Sequence, residues 1–184
     1  FNGGFIMAII FPKGAVGQSG GEYIGQVVYN HDYTVRSYSE NNAATGTHTI
    51  ITSPSITPQN SNSRFLIFGM SNSGTLNYQF YYEWGLKLYR TQSGNDAFVG
   101  GNSNTSHQKD TNVQIGCNSG SEQGNNSAFF YVDHPNNTNS LTYSLEFWGG
   151  ETSTYYVNRC KSESSYRFPN TGGTHITVME VCTV

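Results

Sequence analysis

The side chains of this sequence that could carry acid–base or metal chemistry are twelve carboxylates, five histidines and three cysteines. The carboxylates are Glu22, Asp32, Glu40, Glu83, Asp96, Asp110, Glu122, Asp133, Glu146, Glu151, Glu163 and Glu180. Glycoside hydrolysis needs two of them flanking one bond, and no spacing along the chain selects a pair. His31, His48, His107, His134 and His175 are equally scattered. None lies in HExxH, and there is no GxSxG to present a nucleophile. Calcium loops need carboxylates in DxDxDG-like density, which is absent. Cys117, Cys160 and Cys182 form neither a CxxC zinc half-site nor an even disulfide set. One bridge is conceivable, Cys160 with Cys182. Three small buried thiols are the favoured reading. The expectation is a non-enzymatic chain with no metal and no cofactor.

Binding chemistry has more material. Leu76–Arg90 reads LNYQFYYEWGLKLYR, with Tyr78, Phe80, Tyr82, Trp84, Leu86 and Leu88 on one face of a period-2 strand. Tyr81, Glu83, Gly85, Lys87 and Tyr89 fall on the other. A single core covers one face only, so Tyr81 and Tyr89 are the candidate subunit interface. Stacking on a sugar ring is the competing use of Tyr81, Tyr89 and Trp148. Large exposed apolar patches more often mark protein interfaces, which favours the subunit contact. The polar segment 91–126 supplies a candidate surface-contact loop, with Asn95, Asn104, His107 and Asn125. At the other end, Phe5, Ile6, Ile9, Ile10 and Phe11 form a candidate anchor ahead of the linker-like Gly14–Gly21. Met7 is the first methionine, so either the chain is processed or residues 1–6 precede the natural start.

The elements that must position these residues follow from composition. Of 184 residues only 35% are hydrophobic and 11% charged, while aromatics reach 14%. Low charge argues against charge-driven disorder, and the shortage of Ala, Glu, Lys and Leu argues against helical bundles. A chain rich in Tyr, Phe, Thr and Val and punctuated by Gly, Asn and Ser reads as all-β. With a net charge of -3 and no basic cluster, nothing suits nucleic-acid phosphates or an anionic bilayer. No apolar run is long enough for a membrane helix.

Strand signals recur along the chain at Glu22–Tyr29, Thr47–Thr52, Arg64–Met70, Leu76–Arg90, Ala128–Val132, Ser140–Trp148, Thr154–Arg159 and Thr174–Val181, and the short apolar pieces Ala97–Val99 and Val113–Cys117 suggest strands inside the polar segment. Arg64–Met70 is the most apolar and is expected to be central. Pro58 marks a strand end, and Asp133–Asn139 is a turn by composition. In the last strand Ile176, Val178 and Glu180 oppose His175, Thr177, Met179 and Val181. The expected fold is an antiparallel β-sandwich, a jelly-roll-like knob over residues 22–184, with residues 1–21 as an extended arm and linker.

Three blocks resemble segments of small virion structural proteins of marine tailed phages, especially cyanophages. They are Gly25-Gln26-Val27-Val28, Ser55-Ile56-Thr57-Pro58-Gln59 running on to Ile67, and an end that reads Tyr155-Tyr156-Val157-Asn158-Arg159 and then Thr174–Val181 (THITVMEV). Arg64 stands where the family pattern has Lys, and the segment 91–127 matches nothing in it. The resemblance implies a location on the particle surface and a structural role in a head or tail appendage that contacts the host. By analogy with fibre knobs it implies a homotrimer, with the arm held by other virion proteins and a host glycan or receptor as the outer partner. The alternatives are a carbohydrate-binding module and a polysaccharide-degrading domain.

Overall fold

The computed structural model describes residues 7–10, 21–40, 47–75, 82–99, 114–118, 124–149, 153–158 and 172–183. Among them there is no helix. The strands in chain order are β1 (Met7–Ile10), β2 (Glu22–Asp32), β3 (Arg36–Glu40), β4 (Thr47–Thr52), β5 (Arg64–Thr75) and β6 (Tyr82–Gln92). They continue with β7 (Asn95–Phe98), β8 (Gln114–Asn118), β9 (Gly124–Asp133), β10 (Leu141–Gly149), β11 (Ser153–Val157) and β12 (Thr174–Thr183).

All pairings among the described strands are antiparallel. They form a 7-stranded sheet, ordered β1-β2-β12-β5-β11-β3 with β9 on the other side of β5. A 5-stranded sheet is ordered β4-β10-β6-β7, with β8 also on β6. One face of each sheet supplies the core. Val28, Phe65, Ile67, Phe129, Tyr155, Val157, Ile176 and Val178 come from the larger sheet. Ile50, Ile51, Leu86, Leu88, Leu141, Tyr143, Leu145 and Phe147 come from the smaller. Removing these side chains from water, at ~25 cal/mol per Å2, is what holds the sandwich together. The all-β sandwich is therefore the fold.

Several local features follow from residue chemistry. β5 is central, as its apolar run demands: β12 and β11 lie on one side of it and β9 on the other. In β4 the register shifts opposite Leu145/Glu146. This bulge lets the consecutive Ile50 and Ile51 both be buried. β6 and β7 form a hairpin through Ser93 and Gly94, both with positive φ, 53° and 77°. That pair of left-handed residues matches the strand twist, and Gly is its natural second member.

At Gly69 the backbone runs so close to its neighbours that a Cβ would lie 2.1 Å from the His175 carbonyl oxygen and 2.8 Å from Phe129 Cζ. Between the sheets Asp133 Oδ2 accepts from Arg90 Nη1 at 2.7 Å and from the Tyr143 hydroxyl at 2.8 Å. Burial first, then the adjoining carboxylate, push the Tyr143 phenol above its ordinary range, so it stays a neutral donor.

Two expectations gain detail at this level. The apolar arm is a strand where it is described, because Met7–Ile10 pairs with Gln26–Tyr29 of β2. Ile9 and Ile10 thus satisfy backbone groups at the sheet edge, while Phe5, Ile6 and Phe11 lie outside the described residues. On β6 the core face is as expected, with Leu86 and Leu88 fully buried. The opposite face is also covered within the chain, since Gly85 is buried and Lys87 is only 6% exposed.

Candidate contact surface

The outward face of the larger sheet is unusually apolar. On β5 it carries Leu66, Phe68 and Met70, all half-buried, and on β9 Ala128, Phe130 and Val132. Phe130 is 61% exposed and Val132 41%. On β12 the pattern alternates strictly: Ile176, Val178 and Glu180 are buried, whereas His175, Thr177, Met179 and Val181 are half-buried and face outward. On β2 the outward residues are Ile24, Val27, Tyr29 and His31.

Register aligns these side chains into rows across the strands. One row is Phe130–Phe68–Thr177–Tyr29, and the next is Val132–Leu66–Met179–Val27. The backbone of β1 continues both rows, Met7 beside Tyr29 and Ile9 beside Val27. Arg64, at one corner, is ion-paired to Glu22. Elsewhere the described outward positions of these strands hold no Asp, Glu or Lys.

A second corner of this face is aromatic. His31 lies directly across from His175. Ring centroids are 5.6 Å apart for Tyr29–His31, 6.5 Å for Tyr29–His175 and 5.1 Å for His31–Tyr33. Tyr33 is 67% exposed. Its ring lies over Gly173, where a Cβ would approach to 2.4 Å. The loop that presents it is pinned from below. Asn158 Nδ2 donates to the carbonyls of Asp32 and Thr34 at 2.9 and 3.0 Å, and Asn158 Oδ1 accepts from the Thr174 hydroxyl at 2.8 Å. Burial raises the Asp32 carboxyl, but the Thr34 amide and the Arg36 guanidinium more than offset it. The group therefore sits below its ordinary value.

Burial, and then the neighbouring His31, hold His175 below its ordinary 6.5. The folded state then binds fewer protons than the unfolded one, so stability rises with pH in this window. The His175 contribution should be complete above 6.5 and be lost on acidification through that value toward the lower folded one. Urea denaturation on either side of 6.5 should show this decrease, and His175→Gln should reduce it. An unchanged pH dependence in the variant would remove His175 as its source.

The three blocks that carry the family resemblance meet at the opposite end of β12. Glu180 is fully buried. Its Oε2 accepts from Gln26 Nε2 at 2.6 Å and its Oε1 from the Gln59 backbone amide at 2.6 Å. Gln26 Nε2 also donates to the Thr57 carbonyl at 2.6 Å, and Gln59 Nε2 to the Gly25 carbonyl at 3.0 Å. A register shift between Met179 and Val181 sets Glu180 against Gly25 and Gln26. A Cβ at Gly25 would fall 2.7 Å from Cys182 Sγ and 3.0 Å from Glu180 Oε2. Cys182 is a buried free thiol, so it is not bridged to Cys160. Burial pushes its pKa up and makes it a poor nucleophile.

The other residues singled out by sequence are dispersed. Tyr89 is half-buried on β6, where burial and then Glu146 and Asp96 push its phenol up. Its apolar area is thus partly covered by its own chain, which weakens the case for a subunit contact there. Tyr81, Asn104 and His107 lie outside the described residues. Asn95 opens β7, exposed just after the hairpin turn. Asn125 is on β9, paired with Ser73 in the larger sheet. The structure therefore places Asn95 and Asn125 on different sheets and not on one loop. The outward face itself had a sequence signal: Tyr29, His31 and Tyr33 alternate, as do His175, Thr177, Met179 and Val181.

No protein-family model matches the chain, and no curated protein matches it.

Proposed function

We propose that this chain is a non-enzymatic structural protein of a phage particle. It acts as a jelly-roll-like knob or fibre-tip appendage on the particle surface and takes part in attachment to the host. The observation that carries this reading is the meeting at Glu180 of the three blocks that resemble virion proteins. Segments far apart in sequence that share one hydrogen-bonded site form a single structural unit, which chance likeness of short strings does not require. In this reading the N-terminal residues link the knob to other virion proteins, and the knob works as a homotrimer.

The corner of Tyr29, His31 and Tyr33 favours a second reading, a carbohydrate-binding module. An exposed Tyr ring over a glycine, backed by further rings, is a platform on which a sugar face can stack. Antibody against this chain, viewed by electron microscopy on intact particles, separates the two. Labelled particles support the virion role. Unlabelled particles, together with retention on host polysaccharide that Tyr33→Ala abolishes, would replace it with the binding module.

A further inference from the structure

We infer that the outward face of the larger sheet is where a second copy of this chain docks, face to face, about a twofold axis running along β12. The inference rests on the face and not on the virion role.

Size is the first argument. The strands β9, β5, β12, β2 and β1 span about 24 Å at ~4.8 Å per strand, and Arg64 to Met70 covers about 23 Å. The flat patch is then roughly 550 Å2 before side-chain relief is added, about two thirds of the ~800 Å2 per partner of a standard stable interface.

Charge is the second. Apart from Arg64, already paired to Glu22 at a corner, the described outward positions are neutral. A nucleic acid or an anionic bilayer finds no counter-charge here. A copy of the same face meets no repulsion, and an isologous contact needs a surface compatible with itself.

The third argument places the axis. β12 is the middle of these five strands, so an axis along it overlays the whole face on its copy. Its outward residues then meet their own counterparts: His175, Thr177, Met179 and Val181. Thr177 is the small member of its row, between Phe68 and Tyr29. Two copies approach closely there, and Phe68 of one lies over Tyr29 of the other.

A residue on a twofold axis gives a distinctive test. Thr177→Asp puts two carboxylates together and Thr177→Lys two ammonium groups, so each variant should dissociate. An equimolar mixture pairs Asp with Lys and should reassociate. Sedimentation equilibrium of the full chain should give an even number of subunits, halved in either folded variant and restored on mixing. Phe130→Asp, at a position 61% exposed, gives a second test should the Thr177 variants fail to fold, and should weaken association at least tenfold. The trimer is tested by the same masses. Dimers falling to monomers exclude the threefold ring, and hexamers falling to trimers support it. An odd wild-type mass would overturn the inference, as would folded variants that keep the wild-type mass. Failure of the mixture to reassociate would overturn the axis.

Discussion

Gly69→Ala is expected to prevent the larger sheet from closing. The new Cβ has to occupy space 2.1 Å from the His175 carbonyl oxygen. That oxygen belongs to β12, which pairs with β5 at this point, Ile176 against Gly69. The second obstacle, Phe129 Cζ at 2.8 Å, belongs to the core. A flexible side chain could swing away, but a strand backbone held by its own ladder cannot. Overpacking in a core usually costs about 1–3 kcal/mol, and a backbone collision in the central strand should exceed that. The measurement is soluble yield with far-UV circular dichroism and the urea midpoint. A soluble variant within about 1 kcal/mol of wild type would show that β5 and β12 can separate without loss.

The next largest effect is expected at Asp133. Arg90 and Asp133 are 19% and 15% exposed in their side chains. Asp133→Ala removes the acceptor of both Arg90 and Tyr143 and leaves a mostly buried guanidinium without its counter-charge. Breaking such a pair from one side costs about 3 kcal/mol once partial solvation is allowed for. Tyr143→Phe, which leaves the ion pair intact, should cost about 1–2 kcal/mol. The double variant should cost less than the sum, because the hydrogen bond is already gone in Asp133→Ala. Additive losses in urea denaturation would mean that the three groups act independently.

How much of this was legible in the sequence depended on the range of the interaction. Period-2 patterning is local. It exposed β12, where even Glu180 was read on the inward side, and it exposed the core face of β6. The apolar run Arg64–Met70 was central for the same reason. Partnerships across the fold were not legible. Asp133 binds Arg90 43 residues away, and only the register of β9 and the stacking of the sheets bring them together. The burial of Gly85 and Lys87 on the second face of β6 was not legible, because covering them takes material that no strand pattern reveals. Asn95 and Asn125 were grouped as one polar segment; the short apolar pieces Ala97–Val99 and Val113–Cys117 signalled strands inside it, now β7 and β8, but not which sheet the flanking residues join. The Ser93–Gly94 hairpin was overlooked inside that same polar stretch, although Ser-Gly is a turn signal. The outward face was visible as alternation, but alternation does not state which face meets water.

The position of β12 also governs when the molecule can form. It lies between β2 and β5, and Glu180 reaches Gln26 across 154 residues of sequence. During synthesis β2 and β5 leave the ribosome long before the strand that joins them. Loops of that length must close before any ladder rewards them, which places folding in the slow, millisecond-to-second regime of non-local β-proteins. The nascent chain therefore holds β2 and one edge of β5 without the strand that joins them until residues 174–183 emerge, and the larger sheet closes only then.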